Sequence, residues 1–277
     1  MEIGGSALVT GASRGIGRAI AVELSDRGFD TVATMRDPAN GSDLPATSRG
    51  KLRVARMDVT DPSTFDIPGD LRVLVNNAGV DSDYLPVEHS NLDDWRALFE
   101  TNVLGVVAVT MAAVPALRSS APSVICNVTS SSILASVPFF SAYRATKAAV
   151  SVMGDSLRVE VAPFGIRVVE IMPGPVDTDM FRLSTAEAAA ARFDLYNKMA
   201  VRMAQLRESS ADPMVVTPAD AASSIVDAIL DDSGPMRYGC DPLSVGMLDL
   251  WRQSDDEAMY ALTGSSIVES AREATWN

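Results

Sequence analysis

The stretch Thr10-Gly11-Ala12-Ser13-Arg14-Gly15-Ile16-Gly17 ends an apolar run of strand length and opens a segment of helical period. Glycines at such a turn let the backbone approach a phosphate closely, and the amide groups at the start of the helix face the anion. The spacing is G-x-x-x-G-x-G rather than G-x-G-x-x-G, and a turn of this kind can also be a plain tight connection. With that alternative open, the stretch predicts a dinucleotide pyrophosphate site formed by Gly11, Ser13, Arg14, Gly15, Ile16 and Gly17.

The chain around this turn alternates short apolar runs with segments of helical period through its first 180 residues. The runs are apolar on both faces, which is typical of a parallel sheet covered on each side, and they lie at 6–10, 31–35, 52–58, 73–76, 123–129 and 166–171. Helices predicted at 15–27, 93–118 and 142–162 provide the crossovers. The pattern predicts an α/β fold, a Rossmann-like doubly wound parallel sheet with helices on both faces, in a single domain over residues 1–277.

Beyond Pro173 the pattern changes to helical stretches at 185–208 and 218–231, a short strand at 236–240 and an acidic helical tail at 242–277. We expect the segment 180–215 to lie on the substrate side of the domain and the tail to extend the fold as helices. The polar segment 40–49, rich in glycine and proline, predicts an irregular second crossover.

Composition excludes several classes of protein. With 23 Lys and Arg against 36 Asp and Glu the net charge is −13, which argues against a nucleic-acid partner. Cys126 and Cys240 predict neither a disulfide framework nor a metal site, and the single histidine, His89, excludes most hydrolase triads. The apolar run 103–117 is shorter than the ~18 residues of a membrane span and predicts a buried helix. No signal peptide is evident, so we expect a cytoplasmic protein.

Four further motifs follow the glycine turn in order. They are Asp58-Val59, Asn76-Asn77-Ala78-Gly79, Ser130 with Tyr143-Arg144-Ala145-Thr146-Lys147, and Pro173-Gly174-Pro175-Val176-Asp177-Thr178. Together with the glycine turn they make the sequence resemble the short-chain dehydrogenase/reductase family, in its short single-domain branch, over about residues 5–180. The resemblance implies an NAD(P)-dependent oxidoreductase acting on a small-molecule alcohol or carbonyl compound.

The resemblance also implies where the cofactor binds. Asp58 matches the acid that meets the adenine, with the Val59 amide beside it, and Asn77, Ala78 and Gly79 match the turn along the cofactor. In the last motif Pro173 and Val176 accompany Thr178, which matches the hydroxyl that holds the nicotinamide carboxamide. Capping is the alternative role for Asp58 and for Thr178.

The end of the second predicted strand bears on the choice of cofactor. NAD enzymes usually carry an acid there for the ribose 2′-hydroxyl, whereas a basic residue accommodates a 2′-phosphate. Met35 occupies that place, Arg36 follows it, and Arg14 supplies a second guanidinium, a group that matches phosphate geometry. NADP(H) is therefore the favoured cofactor, and NAD(H) is the alternative. In that alternative, Arg14 and Arg36 are only solvated surface residues, or Asp37 forms an ion pair with Arg36.

Tyr143 and Lys147 are four residues apart in a helical segment, so both project from one helix face. A nearby ammonium, together with the charge of the oxidised nicotinamide, is expected to lower the pKa of the tyrosine. Ser130, at a strand end, can stabilise a developing oxyanion. The resemblance implies that Tyr143 is the general acid/base and that Lys147 holds the hydroxyls of the nicotinamide ribose. It also implies that Asn102 holds the water molecule of a proton relay to Lys147.

Two residues depart from the family pattern: Ile133 stands where many relatives have glycine, and Thr146 replaces a serine. Ile133 predicts a bulkier apolar wall near the substrate. Apolar residues in segments that border the pocket in relatives indicate a hydrophobic ketone, aldehyde or secondary alcohol; they are Pro138, Phe139, Phe140, Met180, Phe181 and Leu183. Weak similarity of residues 34–37 and 237–238 to hydroxysteroid and retinol dehydrogenases points to steroid- or retinoid-like substrates.

Helices 93–118 and 142–162 are apolar beyond one stripe, and in relatives they pair across a two-fold axis, so a homodimer or homotetramer is expected. Two alternative functions remain beside a carbonyl reductase or alcohol dehydrogenase. One is epimerase or dehydratase chemistry on a related fold. The other is a non-catalytic nucleotide-sensing or interaction protein, which the presence of both Tyr143 and Lys147 disfavours.

Overall fold

In the computed structural model, which describes residues 1–47, 49–81, 83–185 and 189–275, seven strands form one parallel sheet. In chain order they are β1 Ser6–Val9, β2 Asp30–Met35, β3 Leu52–Arg56, β4 Leu71–Asn76, β5 Ser123–Val128, β6 Ile166–Ile171 and β7 Arg237–Tyr238. Their order in space is β3-β2-β1-β4-β5-β6-β7. The direction of winding reverses between β1 and β4, and ligands of doubly wound sheets bind at this switch point. The predicted fold class is confirmed.

Helices cover both faces of the sheet. The helices of the described chain are α1 Gly15–Arg27, α2 Leu92–Phe99, α3 Gly105–Ser119, α4 Ser141–Val161, α5 Asp179–Thr185, α6 Asp194–Ser210, α7 Pro218–Leu230, α8 Pro242–Gln253, α9 Asp256–Thr263 and α10 Ser265–Thr275. Apolar side chains of α1 and α7 share one core with the sheet, and those of α3 and α4 share the other.

The alternation of side chains along the strands explains the two cores. In β1, Ala7 and Val9 face the core that contains Ile20 of α1, whereas Leu8 faces the opposite core, with Val109 of α3. Because successive side chains of a strand point to opposite faces, a strand buried on both sides must be apolar at every position. All four residues of β1 are buried.

Strand β3 differs from this pattern, because it is the edge of the sheet and its residues are half-buried or exposed. The sequence predicted burial on both faces. The short strand β7 closes the other edge with two residues.

The predicted helix 93–118 is divided. A turn of π-helix, Glu100–Leu104, separates α2 from α3. The helical stretch predicted at 185–208 is divided as well, because a 3₁₀ turn at Ala189–Arg192 precedes α6; residues 186–188 and the final residues 276–277 lie outside the described chain.

Taken together, α2, the π-turn and α3 form the helical segment Leu92–Ser119, which has the length and composition of a membrane span. The most apolar 18-residue window of this segment has a mean hydropathy of 1.8, and 39% of that window is buried in the protein. Core helices of water-soluble proteins pass the same test, so this is weak evidence for a span. Val109, Ala113 and Leu117 of this segment pack against the sheet.

Candidate active site

A cavity of about 670 Å³ lies at the carboxyl ends of the central strands. Its walls include all the residues that the sequence predicted for the cofactor: Gly11, Ser13, Arg14, Gly15, Ile16, Gly17, Arg36, Asp58, Val59, Asn77, Ala78, Gly79, Tyr143, Lys147, Pro173, Val176 and Thr178. Ser130 also lines it, whereas Asn102 is not among the lining residues. One cavity thus collects side chains from residues 11 to 178.

The glycine turn fits a phosphate-bearing ligand. Arg14 precedes α1 without capping it through its side chain, and the first turn of α1 holds no acidic residue. A helix start without a side-chain cap attracts an anion through its backbone N–H groups. Gly11 and Gly15 have φ values of +66° and +57°, which favour glycine.

The turn is held against the end of β4. Asn77 donates from Nδ2 to the carbonyl oxygens of Thr10 at 2.9 Å and Gly11 at 3.2 Å. A Cβ atom on Gly17 would lie 2.2 Å from that Nδ2 atom. Glycine at 17 therefore makes room for the Asn77 side chain that fixes the turn.

Arg36 and Asp58 line the part of the cavity that the sequence predicted to meet the adenine. The Asp58 Oδ1 atom accepts hydrogen bonds from the Thr60 backbone N–H at 3.0 Å and hydroxyl at 2.8 Å. These bonds, with smaller contributions from the charges of Arg36 and Arg56, lower the pKa of Asp58. The capping geometry considered for Asp58 is thus present, and it fixes the carboxylate at the cavity wall.

Neighbouring charges bear on the two arginines of the cofactor prediction. The guanidinium of Arg14 lies 3.4 Å from the Asp179 carboxylate, and both side chains are largely exposed. Asp37 accepts a hydrogen bond from the Ala39 backbone N–H at 3.0 Å and so caps the following 3₁₀ turn.

The capping role considered for Thr178 is also present. The Thr178 hydroxyl accepts a hydrogen bond from the Phe181 backbone N–H at 3.2 Å, at the start of α5.

Tyr143 and Lys147 project from the first turns of α4 and Ser130 follows β5. The Lys147 Nζ atom lies 5.6 Å from the centre of the Tyr143 ring and donates to the Val128 carbonyl at 3.1 Å. The Ser130 Oγ atom accepts from the Ser132 N–H at 3.2 Å and so caps the 3₁₀ turn Ser131–Leu134. The structure therefore brings Ser130, Tyr143 and Lys147 to one cavity wall.

Burial has the largest effect on the pKa values of Tyr143 and Lys147. It raises the pKa of Tyr143, and the Asp81 carboxylate raises it further, while a hydrogen bond with Ser130 acts in the opposite direction. The predicted lowering of the Tyr143 pKa is thus not what the protein alone produces, because burial and the Asp81 carboxylate outweigh the hydrogen bond with Ser130. Burial also lowers the pKa of Lys147 to about 8, against the raising effect of Asp81. At neutral pH the phenol keeps its proton.

Asn102 lies in the π-turn and is buried behind the cavity. Its Nδ2 atom donates to the Val80 carbonyl at 2.9 Å and the Thr146 hydroxyl at 3.2 Å, and its Oδ1 atom accepts from the Val80 N–H at 2.8 Å. Thr146, the departure from serine, is fully buried and donates to the Tyr143 carbonyl at 2.7 Å. The side chain of Asn102 therefore joins the loop after β4 to α4.

The apolar residues that the sequence predicted to border the substrate do not all line the cavity. Phe140, Met180 and Phe181 line the cavity, but Pro138 and Phe139 are not among its lining residues. Phe139 packs with Tyr84, Ala190 and Ala200 in a separate cluster. The prediction for Leu183 concerns a side chain outside the described part of the structure.

Ile133 was predicted to form an apolar wall beside the substrate, and this prediction is wrong. Ile133 packs against a cluster of Leu134, Met172 and Leu248, and it is not among the residues that line the cavity. Ile133 lies in the 3₁₀ turn after Ser130, and this cluster includes Leu248 of α8. The Ile133 side chain fills the space between that turn and α8.

A second apolar wall comes from the segment 180–215, which the sequence predicted on the substrate side, and from the tail, none of whose lining residues the sequence identified. Side chains from α6, α8, α9 and α10 line the cavity: Met203, Leu206, Leu243, Met247, Leu262 and Ile267. The Thr263 hydroxyl, on the last turn of α9, accepts a hydrogen bond from the Ser136 N–H at 2.9 Å and ties this wall to the turn after β5. Apolar residues at helical spacing in the tail were the available signal, but they did not say which surface they cover. Asp81 and Tyr84, also on the cavity wall, were not predicted.

Among the described residues no group of three or more His, Cys, Asp or Glu side chains is placed to hold a metal ion.

A sequence model of the family described as short chain dehydrogenase matches residues 6–189, more than half of the chain. The chain belongs to the short-chain dehydrogenase/reductase family. As a short-chain dehydrogenase/reductase it is an NAD(P)-dependent oxidoreductase, as the resemblance of its motifs predicted.

Relatives of this short-chain dehydrogenase/reductase extend along most of its length. It is 33% identical over 232 residues to the uncharacterized oxidoreductase YusZ of Bacillus subtilis, which covers 76% of this chain and 81% of the relative. It is 32% identical over 190 residues to human retinol dehydrogenase 5, with 65% of this chain and 59% of the relative covered.

Solved structures of short-chain dehydrogenases share the fold. The structure from Streptomyces avermitilis has a TM-score of 0.77 at 31% identity and covers 95% of this chain and 96% of its own. A short-chain dehydrogenase from Burkholderia cenocepacia, solved with NADP, has a TM-score of 0.75 at 24% identity and covers 96% and 100%.

Proposed function

We propose that this short-chain dehydrogenase/reductase is an NADPH-preferring ketone reductase or alcohol dehydrogenase for a hydrophobic ketone, aldehyde or secondary alcohol. One observation carries the proposal: the half-buried Tyr143 lines the same cavity as Ser130 and Lys147, while the helical side of that cavity is apolar. A polar reacting end and an apolar remainder match a carbonyl compound with a large hydrocarbon part.

A nicotinamide dinucleotide held at the glycine turn would supply or accept the hydride at the reactant carbon, and the side chains of the protein handle the proton and the oxygen. Ser130 donates a hydrogen bond to the reactant oxygen and stabilises its developing charge. Tyr143, protonated at neutral pH because of burial, donates its phenolic proton in the reductive direction. Lys147 in its ammonium form binds ribose hydroxyls and favours the phenolate that results.

Asn102 has a supporting part in this proposal. Both Nδ2 hydrogens are engaged by Val80 and Thr146, and Oδ1 accepts from Val80. A relay water leading to Lys147 is therefore best held by the backbone carbonyl of Asn102. A π-turn supports this reading, since it loosens the helical hydrogen-bond pattern at that residue.

The preference for NADPH rests on the end of β2. Met35 stands where an acid would accept from a ribose hydroxyl, and Arg36 lines the cavity beside it. Arg14 is paired with Asp179, but an exposed pair of this kind is worth at most ~1 kcal/mol, so a phosphate can displace it. Asp37 is engaged as a cap rather than aligned as a ribose acceptor.

The segment 180–215 and the tail 242–277 are proposed to bind the hydrophobic part of the substrate. Met203 and Leu206 of the first segment and Leu262 and Ile267 of the tail line the cavity. The 32% sequence identity to human retinol dehydrogenase 5 over 190 residues supports a retinoid- or steroid-like reactant as the first class to test.

We also propose assembly as a homodimer or homotetramer through α2, α3 and α4. Exposed apolar side chains occur on α3 and α4 at Met111, Val152 and Val159, and on the π-turn before α3 at Leu104. Burial of such a face against its copy stabilises a closed, symmetric pair.

The proposal is tested by the absorbance of NADPH and NADH at 340 nm with a panel of ketones and alcohols. Tyr143→Phe should lower kcat by about 10²- to 10⁴-fold while NADPH still binds, and Tyr260→Phe, an exposed tyrosine on α9, should leave kcat unchanged. Turnover that survives in Tyr143→Phe contradicts the proposed role. NADPH binding without any turnover supports the nucleotide-sensing alternative, and product formation without net absorbance change supports an epimerase or dehydratase.

A further inference from the structure

A buried carboxylate lies behind the active site, between β5 and α4. Glu170 on β6 is 1% exposed, pairs in register with Asn127 of β5, and is not among the residues that line the cavity. Burying a charge in this way is unfavourable unless the charge is paired and hydrogen-bonded. The partners of Glu170 therefore indicate what it does.

Two of those partners belong to the elements that carry the reacting groups. The Thr129 hydroxyl donates to Glu170 Oε1 at 2.7 Å, and the Ser151 hydroxyl donates to Glu170 Oε2 at 2.9 Å. Thr129 directly precedes Ser130. Ser151 follows Lys147 by four residues and so lies one helical turn further along α4.

A third partner neutralises the carboxylate from the outer side. Arg237 of β7 donates from Nε to Glu170 Oε2 at 3.0 Å and from Nη2 to Asp155 at 2.6 Å. The Arg237 side chain is partly exposed and lies over the ring of Trp251. Arg237 Nη2 also donates to the Ser151 Oγ atom at 3.5 Å, so this outer part of the network contacts the middle of α4 but neither Ser130 nor the first turns of that helix.

We propose that Glu170 is a positioning residue that fixes α4 relative to the end of β5, and so sets the distance between Ser130 and Tyr143. The inference rests on the proposed function, in which these two side chains act on one oxygen. Backbone hydrogen bonds fix β5 to β6, but α4 meets the sheet mainly through side chains. A charged acceptor that binds both elements supplies a directional contact there, because charge-assisted hydrogen bonds are short and strong.

The size of the expected effect follows from geometry. A misplacement of about 1 Å between reacting groups can cost on the order of 10²-fold in rate. Loss of one of the two hydroxyl contacts should permit a smaller shift. We expect Ser151→Ala and Thr129→Val each to lower kcat by about ten-fold, with KM and the NADPH dissociation constant within about two-fold of the wild type.

The experiment uses the full-length protein and compares matched variants. Thr129→Ser retains the hydroxyl and should restore kcat to within about two-fold of the wild type. Asp155→Asn removes a charge at the outer side of the network but keeps an oxygen acceptor for Arg237, so it should leave kcat unchanged. Crystal structures of the wild type and of Ser151→Ala and Thr129→Val measure the separation of the Ser130 and Tyr143 hydroxyls without requiring turnover. That separation should increase in both variants.

An unchanged separation in both variant structures overturns the inference, as does a Thr129→Ser protein that loses as much kcat as Thr129→Val. A loss in Asp155→Asn equal to that in Ser151→Ala also overturns it, since the network would then act only through general stability. If Thr129→Val does not fold, Ser151→Ala alone decides. If the wild type turns over none of the panel, the proposed function fails separately, and the measured hydroxyl separation still decides this inference.

Discussion

Lys147 is an ammonium-bearing side chain held almost out of contact with water, with 7% of its surface exposed. Burial lowers its pKa from 10.5 to about 8, so the folded chain releases the proton more readily than the unfolded chain. Between these two pH values the unfolded state binds more protons, and stability therefore rises with pH. Below pH 8 the full cost of burying the cation opposes folding.

This cost gives a prediction for Lys147→Met. At pH 7 the variant should be more stable than the wild type by about 1–3 kcal/mol in urea unfolding, after allowing for the lost hydrogen bond to Val128, and it should be inactive. The difference should shrink as the pH approaches 10.5. Lys51→Met, at a lysine whose side chain is 88% exposed, should show no such pH-dependent gap. Equal stability of Lys147→Met and the wild type at pH 7 would contradict this account.

At the residue scale, short-range motifs predicted which side chains meet at the cavity but not how their surroundings tune them. The neighbour four residues from Tyr143 is visible in the sequence, whereas the burial that raises its pKa depends on the whole pocket. Ile133 was misplaced because its packing against Leu248 of α8 joins segments that are distant in the sequence. Glu170 looks like one polar interruption of a strand, and its partners are 19 to 67 residues away.

At the scale of elements, the strand–turn–helix unit formed by β1, the glycine turn and α1 is constrained at one position above all. A Cβ atom on Gly17 would lie 2.2 Å from Asn77 Nδ2 and 2.6 Å from the Gly11 carbonyl oxygen. Backbone cannot move aside as a flexible side chain can. The turn and the end of β4 would have to separate.

Gly17→Ala should therefore destabilise the protein by about 1–3 kcal/mol and weaken NADPH binding at least ten-fold. Thermal unfolding and fluorescence titration measure the two effects. Gly246→Ala on α8 is the matched control, because no atom lies within 4 Å of its added Cβ, and it should stabilise the protein by about 0.5–1 kcal/mol. A Gly17→Ala protein with wild-type stability and affinity would mean that the turn is not held by Asn77.

Among the elements, helices with strong periodicity were predicted to within a residue or two, as α1 and α4 show. The π-turn at Glu100–Leu104 escaped prediction because one inserted residue barely alters the apolar pattern. Asn102 within this turn bonds to Val80 and Thr146, and only the assembled fold provides these contacts.

At the scale of the whole molecule, the exposed apolar face of α3 and α4 gives a prediction about assembly. Met111 and Val159 are 71% and 75% exposed. Light scattering should find a dimer or tetramer for the wild type and a smaller species for the double variant Met111→Glu/Val159→Glu, since buried like charges oppose association. Leu195→Glu, at an equally exposed leucine of α6, should keep the wild-type mass. A wild-type monomer would contradict the proposed assembly.

In the proposed function, the helical wall formed by α6, α8, α9 and α10 separates substrate binding from cofactor binding along the chain. Residues that face the predicted dinucleotide come from positions 11 to 178, whereas Met203, Leu206, Leu262 and Ile267 belong to later segments. Exchanging those later segments with the corresponding ones of another enzyme would alter which reactants are accepted without rewriting the nucleotide half. New substrate selectivity can therefore arise, by evolution or by engineering, while the residues proposed to bind the cofactor and carry out the reaction stay the same.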